Sequence, residues 1–452
     1  MAAISSCVHS DVVCVQSCSD IDRRSQVLGQ GFRRQEVMDE SLTDPPSPVA
    51  VGAWLMVEVW LPYGRSEIPV RVPEERLVDI LKPDSADSLP DSTKEAAKLL
   101  RSNEAFLRKA GEARSICIAL GSCGNQQLTN DLTRAVLECV SNGQVSVTIL
   151  CTDESLEPDA NSVGASRILR HTAKSDTLEC GPLAEGFTPQ VNAEFVKADL
   201  KVVIGELRPH QFLKYSGLCD LVFPGLGSAA SNLAESEQVG VTFDSIHGRR
   251  IEIAKAVGNL FALGLTLNSE LNATAVIFDE IENCLRTLEP IVNNVYSKQV
   301  TMRAEIVVMS SGGMPFDVTL ARAVEAFPTG LNALRKEGAL IVAAECGEGH
   351  GGGQFYEWSA EGMEPRYLES RLRHHFNYSG FKASFLGRIL QTHRLYLIST
   401  IPDHYVETIF GMKPAATVNA AFQSAQRALG SDSTISVIPN GCRLITKQQD
   451  SI

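Results

Sequence analysis

Leu200-Lys201-Val202-Val203-Ile204-Gly205, followed at once by Glu206-Leu207-Arg208-Pro209-His210, is the stretch that decides the fold. A short apolar run without polar alternation reads as a strand buried on both faces. A loop carrying Pro and His at its carboxyl end lies where α/β sheets place ligands. The same pattern occurs upstream. Ser115-Ile116-Cys117-Ile118-Ala119-Leu120 and Val145-Ser146-Val147-Thr148-Ile149-Leu150 are apolar runs separated by a helical period near 128–141. Such strands alternating with helices predict a parallel sheet covered on both sides. Residues 248–263 carry a helical pattern through Ile251, Ile253, Ala254, Val257, Leu260 and Phe261, and 275–297 reads as a helical link. Beyond it the alternation resumes, with strands expected at 305–309, 340–344, 394–398 and 435–438. The fold class is therefore α/β, with two α/β domains on largely parallel sheets.

Working outward, residues 1–48 are rich in Ser, Asp, Arg and Gln and end in Thr43-Asp44-Pro45-Pro46-Ser47-Pro48, a composition that predicts a disordered leader. A strand over 53–60, a turn at Tyr63-Gly64 and a hairpin partner over 67–72 open the ordered chain. The expected division is a leader at 1–48, a first domain at 49–272, a helical linker at 273–297, a second domain at 298–445 and a tail at 446–452.

With 452 residues, 44% of them hydrophobic and 21% charged, the chain can build more than one core. Its net charge of −13 and its lack of basic runs longer than doublets such as Arg249-Arg250 argue against a nucleic-acid surface and for a small-molecule ligand. No stretch approaches the ~18–20 apolar residues of a membrane span. Residues 1–30 lack the apolar centre of a signal peptide, so a cytoplasmic protein is expected. The 12 cysteines are scattered, as Cys117, Cys139, Cys151 and Cys346 illustrate, which suits buried thiols rather than disulfides. Cys7, His9, Cys14 and Cys18 match no standard zinc spacing, and no metal ligand is assigned.

Four strand-end loops are candidates for chemistry. Pro209-His210 presents an imidazole suited to acid–base work. Ser310-Ser311-Gly312-Gly313-Met314-Pro315-Phe316-Asp317 offers paired glycines through which backbone N–H groups approach a ligand. Residues 344–353 are dense in glycine and lead to Tyr356, Glu357 and Trp358. Gly121-Ser122-Cys123-Gly124 holds a thiol with no assignable partner base.

Taken together these motifs resemble the nickel-dependent lactate racemase family. The resemblance runs through Gly205, Pro209-His210, Ser216-Gly217 and Pro224-Gly225, through Gly312-Gly313-Met314-Pro315-Phe316-Asp317, and through 344–349 and 380–383, over roughly residues 50–445. It implies a ligand cleft between two α/β domains and an isomerase that racemises or epimerises 2-hydroxy acids by hydride transfer. It also implies a nickel-pincer nucleotide on a lysine tether. Residue by residue, His210 falls on one catalytic His, while Gly312, Gly313, Pro315, Asp317, Trp358 and Lys382 match positions expected to line the cofactor. The other catalytic His becomes Leu156 and its neighbouring Arg becomes Glu157. The tether lysine becomes Asp220, the nickel His becomes Ser236 and a substrate-binding lysine becomes Glu325. No Lys lies between Tyr215 and Lys255, so the tether is absent from this stretch. These exchanges predict a cleft turned toward negative charge. Three readings stand: a racemase using the cofactor non-covalently, a non-catalytic or repurposed ligand-binding relative, and a metal site of His210, Cys219 and Asp220.

Overall fold

In the computed structural model the strand Leu200–Glu206 is buried along its whole length and lies in the interior of a six-stranded sheet. The structure describes residues 55–448 apart from 84–86, 141–144, 153–156, 159–166, 173, 184–186, 237–242, 363 and 375. The sheet runs in the order Ala273–Glu280, Leu260–Leu267, Leu200–Glu206, Ser115–Leu120, Ser146–Cys151 and Arg167–Arg170. Every neighbouring pair is parallel except the first, which is an antiparallel hairpin. Helices Ser92–Ser102 and Gln126–Val140 bury Leu100, Leu132 and Val136 on one face. Phe243–Ala256 and Ile281–Val295 bury Ile253, Leu285 and Leu288 on the other. The continuous apolar strands follow from this double cover.

The second sheet has the order Lys413–Pro414, Arg394–Ile398, Leu334–Ala343, Ala304–Ser310, Ile435–Ile438 and Leu77–Ile80, all parallel. The four strands expected after residue 300 are present. The hairpin of Met56–Tyr63 and Ser66–Pro73 packs Leu61, Val70 and Val72 against Ile306, Val308 and Ile341 of this sheet. Residues 56–80, read from sequence as part of the first unit, thus lie on the second. The carboxyl end is ordered further than expected: residues 446–448, assigned to a tail, continue the strand Ile445–Gln448, which pairs with Ser297–Val300.

Two helical expectations are corrected. The helix read over 248–263 ends at Ala256, because Gly258 and Asn259 take left-handed φ of 66° and 46° and Leu260 begins a strand. The link read as helical over 275–297 begins with the strand Ala273–Glu280. Its Thr274, Val276, Ile277 and Phe278 favour the pleat, and Asn268 Oδ1 closes the hairpin by accepting the N–H groups of Glu270 and Asn272 at 3.0 Å each. The nine described cysteines are all free thiols, Cys117, Cys151 and Cys346 among them buried. The leader at 1–48 lies outside the described residues.

Candidate functional site

At the carboxyl end of Leu200–Glu206 the chain folds into a small hairpin, Arg208–His210 against Lys214–Ser216. Facing it across a cleft of about 660 Å³ stand Arg322, Glu325 and Tyr378 from the second half of the chain. The helix Cys219–Val222 and the loop from Pro224 to Gly227 complete one wall, together with His171.

His210 is held at both nitrogens. Its Nδ1 accepts the backbone N–H groups of Phe212 and Leu213 at 3.2 Å each, and its Nε2 lies 3.3 Å from Glu325 Oε2 and 3.4 Å from the Tyr378 hydroxyl. Glu325 in turn receives Lys382 Nζ at 2.5 Å and the Tyr378 hydroxyl at 3.2 Å on Oε1. Burial alone would raise the Glu325 carboxyl, but Lys382 and His210 outweigh it and hold the group well below the ordinary range. Burial and Glu325 push the Tyr378 phenol far up, so it is a neutral hydrogen-bond donor at physiological pH.

Asp220 lies on the opposite wall. Its Oδ1 is 3.2 Å from Arg250 Nη1, and its Oδ2 accepts the Gly217 N–H at 3.3 Å. His171 is fixed by donating Nε2–H to the Gly227 carbonyl at 3.2 Å while Nδ1 takes the Asn192 amide at 3.1 Å. Behind the cleft Arg443 makes a bidentate pair with the fully buried Glu206, at 3.0 Å and 2.8 Å, and Tyr296 donates to the same carboxylate at 2.7 Å. The guanidinium groups of Arg208 and Arg443 both rest on the Phe316 ring, at 4.9 Å and 5.0 Å.

The structure thus brings His210 and Lys382 together through Glu325, and it separates the other expected site residues from them. Gly312 and Gly313 take φ of 122° and 68°. The Met314 N–H donates to the Gly64 carbonyl at 2.8 Å, and Asp317 Oδ2 accepts the N–H groups of Gly64 and Glu345. A Cβ on Gly313 would lie 2.9 Å from the Gly64 carbonyl oxygen, so this glycine is required by close backbone packing. Gly312, Gly313, Pro315 and Asp317 clasp the amino-terminal turn. Among the described residues of that loop, Phe316 alone lines the cleft. Trp358 is buried beneath Gly380 and the Arg371 guanidinium, away from the cleft lining. Leu156 lies outside the described residues, and Ser236 ends the helix Ala229–Ser236 without a described side chain.

The expectation of a negative cleft is corrected. Among the described lining residues three guanidinium groups, Arg208, Arg250 and Arg322, face two carboxylates, Asp220 and Glu325. Arg250 meets the first carboxylate and Lys382 the second. The reading of a metal site from His210, Cys219 and Asp220 also falls: no His, Cys, Asp and Glu grouping among the described residues suits a metal, and burial pushes the Cys219 thiol far up. Cys123 lies outside the cleft lining and burial pushes its thiol up to about 12. Arg250, Arg322, Tyr378 and His171 had not been singled out for the site. Tyr378 had one signal, its place just before the matching Gly380-Phe381-Lys382 run.

A cleft at the carboxyl ends of parallel strands, closed by polar groups from two α/β halves, lies where doubly covered α/β proteins hold small molecules. Residues 63–238 match the lactate racemase N-terminal domain and 299–446 the lactate racemase C-terminal domain, and the chain belongs to the lactate racemase family. It is 28% identical over 442 residues to a lactate racemase of Thermoanaerobacterium thermosaccharolyticum, covering 87% of this chain and 100% of the relative. With a lactate racemase of Lactiplantibacillus plantarum it shares 24% identity over 302 residues, 63% of this chain and 71% of that protein. The solved lactate racemase apoprotein from T. thermosaccharolyticum has the same fold, with a TM-score of 0.69, 24% identity, and coverage of 86% of this chain and 100% of that one. A crystal structure from Thermotoga maritima is similar at a TM-score of 0.56 and 14% identity, over 82% of this chain and 100% of that one.

Proposed function

We propose that this lactate racemase-like protein is a cytoplasmic binder of a small 2-hydroxy acid or a closely related acid, and that it works without a covalently tethered nickel-pincer nucleotide. The observation that carries this reading is Asp220. The resemblance puts it at the position of the family's tether lysine, and a carboxylate cannot form the amide or thioamide link. Its two oxygens are engaged by Arg250 and the Gly217 N–H, which makes it a structural ion pair. The lysines that flank Asp220 in sequence offer no replacement: Lys214 is exposed on the hairpin, and Lys255 pairs with Glu282 at the surface. The residues present therefore do not fit the tethered cofactor. Arg208, Arg250, Arg322 and His210 around the cleft support an acid as ligand. The nine free thiols support a reducing compartment.

One observation favours a second reading. A cleft of about 660 Å³ is roomy for a three-carbon acid, which suits a larger group held beside it without a covalent bond. Both readings are tested by producing the protein in a host that supplies nickel and the enzymes that make the pincer nucleotide. Denaturing intact mass is expected to equal the chain alone, with no stoichiometric nickel and no lactate inversion. A covalent mass increment with nickel would refute the main reading. A cofactor seen in native mass spectra and lost on denaturation would establish the second.

A further inference from the structure

His210 would be expected to accept a proton, yet its hydrogen bonds assign it the opposite part. Backbone N–H groups only donate, so the two that reach Nδ1 make that nitrogen the acceptor and leave the ring proton on Nε2. That proton points at Glu325 Oε2, 3.3 Å away. In this arrangement the acceptor facing the cleft is the carboxylate.

The lone pairs of Glu325 are unevenly used. An ionised carboxylate has about four acceptor sites, two on each oxygen. Oε1 takes Lys382 Nζ at 2.5 Å and the Tyr378 hydroxyl at 3.2 Å, while Oε2 takes the His210 ring alone. Glu325 lines the cleft with its side chain 20% exposed, whereas Lys382 beneath it is 8% exposed. Lys382 therefore holds the carboxylate from outside the cleft lining, and Oε2, with one donor, keeps an acceptor site at a group that lines the cleft. A largely buried acceptor is satisfied only by a donor.

We infer that Glu325 is a specificity-determining residue that accepts the hydrogen bond of a ligand hydroxyl on Oε2, its other acceptor sites being held by the His210 Nε2–H, the Tyr378 hydroxyl and Lys382. This inference rests on the proposed function, since it places a small acid in the cleft, and it names the group on that acid which the site reads. A hydroxyl fits better than an ammonium. Lys382 lies 2.5 Å from the same carboxylate and Arg250 and Arg322 line the same cleft, so a further cation would meet three like charges. A keto oxygen cannot donate, so it would leave this second acceptor site of Oε2 unfilled.

The test is calorimetric binding to the full-length protein of racemic lactate, pyruvate and racemic 2-methoxypropionate, whose ether oxygen accepts but cannot donate. Lactate is expected to bind about tenfold or more tightly than either of the others, the size of a hydrogen bond to a charged group. In the double variant Glu325→Met/Lys382→Met, which removes the pair together, the three acids should bind alike. Pyruvate or the ether binding as tightly as lactate to the unmodified protein would overturn the assignment, and that comparison stands even where the variant does not fold. Retention of the lactate preference in the folded double variant would move the recognition to another residue and overturn it equally. Binding of none of the three would sink the small-acid reading itself and this assignment with it. Nitrogen-15 spectra of His210 give a readout that needs no ligand: the Nε2–H form is expected, and an Nδ1–H form overturns the arrangement.

Discussion

The Arg443–Glu206 pair joins the end of a first-sheet strand to the turn Gly441–Arg443 before the last strand, and the variant Arg443→Met measures what that junction is worth. Glu206 has no exposed side-chain surface, and Arg443 supplies a two-point contact to it at 2.8 Å and 3.0 Å. Methionine keeps much of the apolar stem against Phe316 but leaves Glu206 with the Tyr296 hydroxyl and the field of Arg208. Breaking one side of such a pair costs about 3–5 kcal/mol, because a buried charge loses its compensation. Equilibrium unfolding in urea at neutral pH should register that loss as a lower midpoint. The pH dependence gives the sign. Burial would raise the Glu206 carboxyl, but Arg443 and its hydrogen bonds outweigh it and the folded-state value is lowered. In the unmodified protein this contribution is therefore fully present above the unfolded glutamate value of about 4.3 and is lost as pH falls through the folded one. With Arg443 gone burial dominates, so the carboxyl moves up and the variant loses stability as pH rises. The gap between the two proteins should be widest near pH 7 and narrow toward pH 4. A loss under about 1 kcal/mol, or a gap indifferent to pH, would refute the buried-pair account.

Three further outcomes follow from the same geometry. Lys382→Met should destabilise by about 3–5 kcal/mol in chemical denaturation, since it leaves Glu325 with no cation beneath it; a neutral result would mean that water reaches the pair. Gly313→Ala should cost about 1–3 kcal/mol by thermal unfolding, because φ is 68° and the new Cβ would meet the Gly64 carbonyl at 2.9 Å; unchanged stability would show that the turn can yield. In an ultraviolet titration of the eight tyrosines, Tyr63, pushed up to about 12 chiefly by burial, should ionise late, and Tyr296 and Tyr378 later still; all eight ionising together near the ordinary value of about 10 would contradict their burial.

What the sequence disclosed follows a physical divide. Strands such as 200–205 and 305–309 were legible because a double-faced sheet imposes an unbroken apolar run, a purely local pattern. The error over 248–263 arose where Leu260 and Phe261 continue the helical period, while the break depends on the left-handed backbone at Gly258 and Asn259. That Leu77–Ile80 sits beside Ile435–Ile438 is a long-range pairing with no local signature. The site divides in the same way. His210 was marked by its place after a strand and before a hairpin, whereas Arg250 and Arg322 reach the cleft from elements whose facing follows from packing alone. The packing of the Gly-Gly-x-Pro-x-Asp loop on the Gly64 turn was not legible for an equally physical reason: glycines that admit a ligand and glycines that admit another backbone look alike in a string of letters.

The charge exchanges read off the sequence suggest a cleft turned toward negative charge, and the structure gives each exchanged group partners. Asp220 and Glu325 both stand where the family resemblance places lysine. A carboxylate set into a largely buried wall without compensation costs several kcal/mol, enough to threaten a fold of ordinary stability. Here Asp220 is met by Arg250 at 3.2 Å and by a backbone N–H, and Glu325 by Lys382 at 2.5 Å and by donors from Tyr378 and His210. Each carboxylate thus has a cation at contact distance, Lys382 standing at a position the resemblance already matches, and Oε2 of Glu325 has one donor where Oε1 has two. Both carboxylates are compensated parts of the wall, so its acceptor chemistry is read most directly by the comparison of lactate with pyruvate and the ether.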